Sequence, residues 1–420
     1  MRVTVKSVII VLLSLTLFSC KKTAENRIVI WSSSSEFVQY VEYFNKTHKN
    51  TKAVLVYKDN PANSLPPAKD ETTPDIIVGP WLRNNDTTKY FKSLQYMFDR
   101  KNLKEEAFYP QLLEAGKVHK KNYLLPLCFN LPVVIFSGEN EKYVTNDYML
   151  SLDEIKEIAG EFNKKIKGGR YTAMGFSPLN SNDFLYQVVK IYGADFHAEN
   201  NSKITYNEQN LLKAVDYLKD WITSKNTSAA DEQDFAYRYL FMPDYRQVTS
   251  GKTLFSYTTT DRLFKILRDQ DINIDFRWIV NNNSIQIEDS LMMMGIYRKT
   301  KKQSAATEFV SWLLDAANQK ELLQRKINLD LNTEMFGISG GFSSIIEVTE
   351  HVLPLNYTQL LTNLPPAQLL TVPQKLPARW ENYKSIVLVP YIQSVITGQE
   401  GDEILEISEL EKELKKKVFD

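Results

Sequence analysis

The chain has 420 residues, 43% of them hydrophobic and 12% aromatic, enough to bury two or three cores and too apolar for a disordered chain. Its 51 lysines and arginines balance 51 aspartates and glutamates, so no basic surplus points to a polyanion, and no nucleic-acid partner is expected. Two cysteines exclude a disulfide framework.

Residues 1–19 place Arg2 and Lys6 ahead of an apolar stretch, 8–18, that is too short to span a bilayer, and they end on the small residue Ser19. This is the pattern of an export signal. Leu17, Ser19 and Cys20 resemble the bacterial lipoprotein signal, whose cysteine is acylated and becomes the mature N-terminus; Phe18 stands where a small residue is usual, and a plain leader is the alternative. On the lipoprotein reading Cys20 is the lipidation site and 20–26 a polar tether to a membrane. Cys128 then lacks a disulfide partner, and the fold must stand on packing.

Residues 27–31 (RIVIW) read as a buried strand, and Ser33 and Glu36 have the spacing of a capping box for a helix that carries Phe37, Tyr40, Val41 and Phe44 on one face. Strands are expected at 51–57 and within 74–81 (PDIIVGPW), which gives α/β layering with a mainly parallel sheet. Ligands of such sheets sit beyond the carboxyl ends of the strands, here at 32–35 and 79–83. Residues 123–136 form an extended run in which Pro126 and Pro132 exclude a central ladder along the whole length, so the run is expected to cross between domains. Ser151 caps a helix, 184–192 and 211–222 are buried helices, and 253–257 (TLFSY) returns to strand. An apolar strand at 291–297 precedes a helix with Ala306, Phe309, Val310 and Leu313 on one face. The stretch 335–344 carries Gly337, Gly340 and Gly341 and is expected to be flexible. Pro390 should kink a helix over 386–397, and 404–417 should form a last amphipathic helix.

The order of these pieces resembles the periplasmic solute-binding proteins of ABC importers, in the family that includes the maltodextrin-binding proteins. RIVIW and PDIIVGPW resemble that family's first landmark strands, and LPLCFNLPVVIFS its first interdomain crossover. GKTLFSY, LMMMGIYRKTKKQSAATEFVSWLLD and YIQSVITGQEGDEILEISELEKELKK are similar to its later elements, in the same order. The resemblance implies an α/β fold of two lobes, each a mainly parallel sheet flanked by helices, with a ligand cleft between them. Lobe 1 would comprise 27–130 plus 291–334, and lobe 2 would comprise 131–290 plus 335–420.

By position in the family, first-lobe ligand contacts would fall on Ser33, Glu36, Trp81, Arg83 and Asn130. Second-lobe contacts would fall on Asp183, Phe184, Asp261, Arg262 and Trp380, with Asp261 and Arg262 standing where sugar-binding relatives often place a Trp. Other roles stay open: Ser33 and Glu36 as helix caps, Trp81 and Phe184 as core residues, and Asn130 as a backbone cap. The implied partners are a small solute, above all a sugar or oligosaccharide, and the transmembrane subunits of a permease. The protein would be a monomer held in the cell envelope by its lipid, facing the periplasm or the exterior. No cofactor, metal or catalytic residue is expected. Gly337 to Gly341 match G-x-S-x-G without a convincing strand before them, Gly251-Lys252-Thr253 lacks the upstream glycine of a phosphate loop, and the four histidines are scattered singly. Two alternatives remain: an interaction module on the same fold, and a lipoprotein hydrolase.

Overall fold

The computed structural model describes residues 26–198, 204–328, 335–398 and 406–419; the leader and Cys20 lie outside them. The chain opens with β1 (Asn26–Ser32), whose Ile28, Ile30 and Trp31 are fully buried. Helix α1 (Phe37–Thr47) follows and buries Phe37, Tyr40, Val41 and Phe44, the face the spacing predicts. β1 pairs in parallel with β2 (Thr51–Tyr57), Ile28 opposite Ala53, and with β3 (Ile76–Gly79), Ile30 opposite Ile76. The capping box does not form: Glu36 occupies the N-cap position, but no side-chain cap bond is made there.

β4 (Leu125–Phe129) and β5 (Pro132–Ser137) flank the first crossover. Pro126 sits at a register shift against a later strand and Pro132 at the first position of β5, two places where a missing N–H costs no ladder bond. There follow β6 (Met149–Leu150), α2 (Asn182–Ile191), β7 (Phe255–Thr259), α3 (Thr260–Asp269) and β8 (Ile274–Ile279). After the second crossover come β9 (Met292–Ile296), α4 (Gln303–Leu313), α5 (Ala316–Asn328) and β10 (Phe342–Ser343).

Two main sheets result, ordered β10-β4-β9-β3-β1-β2 and β7-β5-β8-β6. Both are mixed, which corrects the mainly parallel expectation. β9 runs antiparallel to β3 and β4, β10 to β4, and β5 to β7 and β8. The reason lies in where these strands begin. Pro132 starts opposite Thr259, Met293 lies opposite Gly79, and Phe342 starts opposite Phe129, in each case near the carboxyl end of the neighbouring strand. A chain that arrives along the edge between the sheets can only run back down its new sheet. Apolar runs carry no direction, so sequence periodicity could not reveal this.

Residues 342–343 join the first sheet, although the sequence division places them in lobe 2, and Ser344 and Ile345 continue against Tyr109 and Phe108. At this junction the two halves share one core. Phe264 of α3 stacks on Phe336 at 4.4 Å, and Phe336 meets Phe342 edge-on at 5.0 Å. Among the described residues no helix is long and apolar enough to cross a membrane.

Candidate functional site

The loops after β1, β3 and β7, the N-terminus of α2 and both crossovers converge on one edge. Asn130 sits at the centre. Its Nδ2 donates to the Gly340 carbonyl at 2.8 Å, its Oδ1 accepts the Thr260 hydroxyl at 2.8 Å, and its own carbonyl accepts the Glu288 N–H at 2.9 Å. Asn130 therefore joins both crossovers to the turn before β10, and its side-chain oxygen and nitrogen are both engaged within the protein. The fit is tight, since a Cβ on Gly341 would lie 2.7 Å from the Phe129 carbonyl oxygen.

Glu36 is equally occupied. It is 1% exposed, accepts the Tyr40 hydroxyl at 2.6 Å and the Ser339 N–H at 2.8 Å, and forms an ion pair with Lys326. Lys326 also donates to the carbonyls of Met335 and Gly337. This buried pair fixes the stretch 336–345, which is buried throughout and not the loose segment its glycines imply. Ser339 holds φ 50°, and its hydroxyl is buried. His351, the one histidine later in the chain, is exposed beside Glu347, whereas Ser339 is buried in a turn in which Gly341 pairs back to Ile338 and the Ser339 N–H is held by the Glu36 carboxylate. Cys128 lies beneath it, its Sγ 3.7 Å from the Ser339 carbonyl oxygen, and burial pushes its thiol well above the ordinary range. Ser33 is half-buried in the loop above.

The predicted aromatic contacts are packing residues in this conformation. Trp81 is 8% exposed with φ 63°, and Phe184 and Trp380 have no exposed surface. Phe184 lies among Phe176, Trp221 and Tyr257, and Trp380 lies among Tyr186, Phe196 and Tyr383. The indole N–H of Trp380 donates to Asp289 at 3.0 Å. That carboxylate also accepts the Tyr186 hydroxyl at 2.5 Å and pairs with Lys190 at 2.8 Å. Arg83 reaches across to the carbonyls of Pro373 and Gln374; burial lowers its guanidinium to about 10, and the nearby Asp289 charge opposes the shift. Asn60 similarly donates to the Ala378 carbonyl at 2.7 Å, so two first-lobe loops hold the segment 373–378.

One part of the edge keeps its polar groups accessible. A cavity of about 490 Å³ is lined by Asn180, Asn182, Asp183, Asp244, Tyr245 and Arg262, among others. Arg262 bonds Asp183 at 3.1 Å with its own side chain 61% exposed, and Lys384 approaches the other Asp183 oxygen at 3.6 Å. Asp261, beside Arg262, accepts the Thr259 hydroxyl at 2.6 Å, which orders the start of α3. Glu288 on the second crossover accepts the Tyr257 hydroxyl at 3.2 Å; burial raises its carboxyl to about 7, Lys190 pulls it down and Asp289 pushes it up. Carboxylates, amides, a guanidinium and a phenol around one cavity can each engage a hydroxyl-rich molecule. Of the predicted residues this cavity gathers Asp183 and Arg262. Sequence reasoning missed Asn180, Asn182, Asp244 and Tyr245 at this cavity, although the polar run SPLNSND leading into α2 was a readable signal. Among the described residues no group of three or more His, Cys, Asp and Glu side chains is placed to hold a metal ion.

The fold recurs in solved binding proteins. An ABC substrate-binding protein from Listeria monocytogenes in complex with cycloalternan matches with TM-score 0.60 and 16% identity, over 93% of this chain and 98% of that one. The maltose-binding periplasmic protein of Listeria monocytogenes in complex with maltose gives TM-score 0.62 and 13% identity, over 94% and 98%. The GacH receptor of Streptomyces glaucescens, studied unliganded and with acarbose, gives TM-score 0.60 and 15% identity, over 94% and 98%. A search of curated proteins gave no match. The family model for bacterial extracellular solute-binding proteins matches residues 31–320, more than half of the sequence, and with the two-sheet architecture this places the chain in that family.

Proposed function

We propose that the protein captures a sugar or oligosaccharide between its two lobes and delivers it to the transmembrane subunits of an ABC permease, held at the membrane by a lipid on Cys20. The observation that carries the reading is the cavity around Asp183 and Arg262, lined from the second-lobe segment 131–290, where hydrogen-bonding groups of both charges converge beside Tyr245 and the first lobe would close over them. Sugars or sugar-like molecules are bound in the structural neighbours above, which supports the same ligand class here. Lobe closure over the ligand would bury its hydroxyls against these groups and present a changed surface to the permease. A thermal-shift screen of maltose, longer maltodextrins, manno-oligosaccharides, polyols and amino acids tests it. A bound ligand at 100 times its Kd raises stability by about 2.7 kcal/mol. Silence across the panel at millimolar concentration overturns the reading. Mass measurement of the mature N-terminus tests the acylation of Cys20 separately.

A second reading has its own observation. Trp81, Phe184 and Trp380 are buried, and Arg83 and Asn60 hold the segment 373–378, features that suit an interaction module with a cleft filled by its own chain. No sugar binding by the native chain, with binding gained when Arg83→Ala frees that segment, favours this alternative.

A further inference from the structure

A second cavity, of about 570 Å³, lies on the flank of the first lobe. Four of its ten lining residues, Lys89, Lys92, Arg298 and Lys375, are cationic, and none is acidic. It is distinct from the ligand edge. β9 starts there at Met292, and Arg298 lies six residues further on, roughly 20 Å down the sheet at the spacing of extended chain. Phe91 bridges to Tyr297, and the Arg298 N–H donates to the Tyr90 carbonyl at 2.7 Å, which pins the wall of the cavity to the end of β9. Lys375 comes from the segment 373–378 that Arg83 holds, so that docked segment supplies one of the cations.

Among the described residues no carboxylate lies within ion-pair distance of Lys89, Lys92, Arg298 or Lys375, and Lys92 donates only to neutral oxygens, those of Gln303 at 3.0 Å and Thr300 at 3.4 Å. The chain as a whole balances 51 bases with 51 acids, so this is a local surplus. Like charges around one concavity repel, and a multivalent anion seated among them removes that cost. The hydroxyls of Thr88 and Ser93 and the ring of Tyr123 add donors and an apolar surface.

We infer that this groove binds a multiply charged oxyanion, a phosphate- or carboxylate-bearing group on a carbohydrate or lipid headgroup. The test uses the full mature chain and inorganic tripolyphosphate as probe at low salt, read by calorimetry and thermal shift, with chloride at matched ionic strength as control. Tripolyphosphate should bind, weaken as salt rises, and lose about tenfold in affinity for each cation removed in Arg298→Gln and Lys375→Gln. Neither side chain bonds another group among the described residues, so both variants should fold, and Lys89→Gln provides a third. Arms with oligogalacturonate and with phosphatidylglycerol vesicles separate a free carbohydrate from a headgroup source. No binding, or binding that all three variants leave intact, overturns the inference. Neutral-sugar binding at the Asp183 cavity should be the same in these variants, so failure of either reading is seen independently of the other.

Discussion

Asn130 and Asp183 lie on the same edge of the molecule, and both were expected to face a ligand, yet their surroundings are opposite in kind. The side chain of Asn130 is engaged between two crossovers and a glycine turn, and nearby Glu36 is buried with Lys326. Asp183 lines a cavity and shares its carboxylate with the well-exposed Arg262. Polar residues at comparable positions can thus have opposite surroundings. What separates the two is accessibility: the partners of Asn130 lock it between backbone segments, whereas Asp183 and its partner Arg262 face a cavity.

The comparison can be broken at several points. Lys326→Ala leaves Glu36 buried and unpaired and should cost roughly 3–5 kcal/mol, seen as a lower denaturation midpoint with the slope unchanged. A loss below about 1 kcal/mol would mean that the pair does not hold the hinge. The pH dependence should follow Glu232, a fully buried carboxyl on the second-lobe side that burial raises to about 7 against the bonds it accepts from Asn226, Ser177 and Leu179. Its folded value lies above its unfolded one, so the native state holds the extra proton. The contribution of this group to stability is fully present below pH about 4.5, falls as pH rises to about 7 and is lost beyond, a change on the order of 3 kcal/mol. Denaturation of the native chain and of Glu232→Gln across that window should show a shallower slope in the variant, the remainder belonging to Glu288, which burial also raises to about 7.

Asn130→Ala should cost about 2 kcal/mol by stranding Thr260 and Gly340, with ligand affinity in the assembled protein nearly unchanged. Lost affinity at full stability would return Asn130 to the ligand site. Arg262→Ala is the converse. An exposed pair contributes little, so stability should move by under about 0.5 kcal/mol while sugar affinity drops about tenfold. Calorimetry on the two variants side by side makes the contrast directly.

Much of the fold could be read from local pattern. RIVIW, the Phe37 to Phe44 face and the crossover at Pro132 were legible because period and proline placement act over a few residues. The mixed sheets were not, because strand direction depends on where the chain enters. The Glu36 cap failed for a similar reason: its partner is Lys326, 290 positions away, and a buried ion pair outcompetes a local cap bond. Asp183 and Arg262, expected as ligand contacts from family position, line a cavity together. Trp380 was expected as well, but position along a helix does not tell which side faces the core, and its indole serves Asp289. Asp289 itself lies in a short run, IEDS, with no periodicity to mark it.

Cys128 lies where the lobes join, buried under Ser339 with its thiol held in the neutral form. The neutral thiol is a poor nucleophile, so alkylating reagents should ignore it while the hinge is shut. With Cys20 acylated it would be the one thiol left to react. Its labelling rate then reports how often local opening exposes it, and if the proposed ligand draws the lobes together, binding should slow that rate in an otherwise unmodified protein.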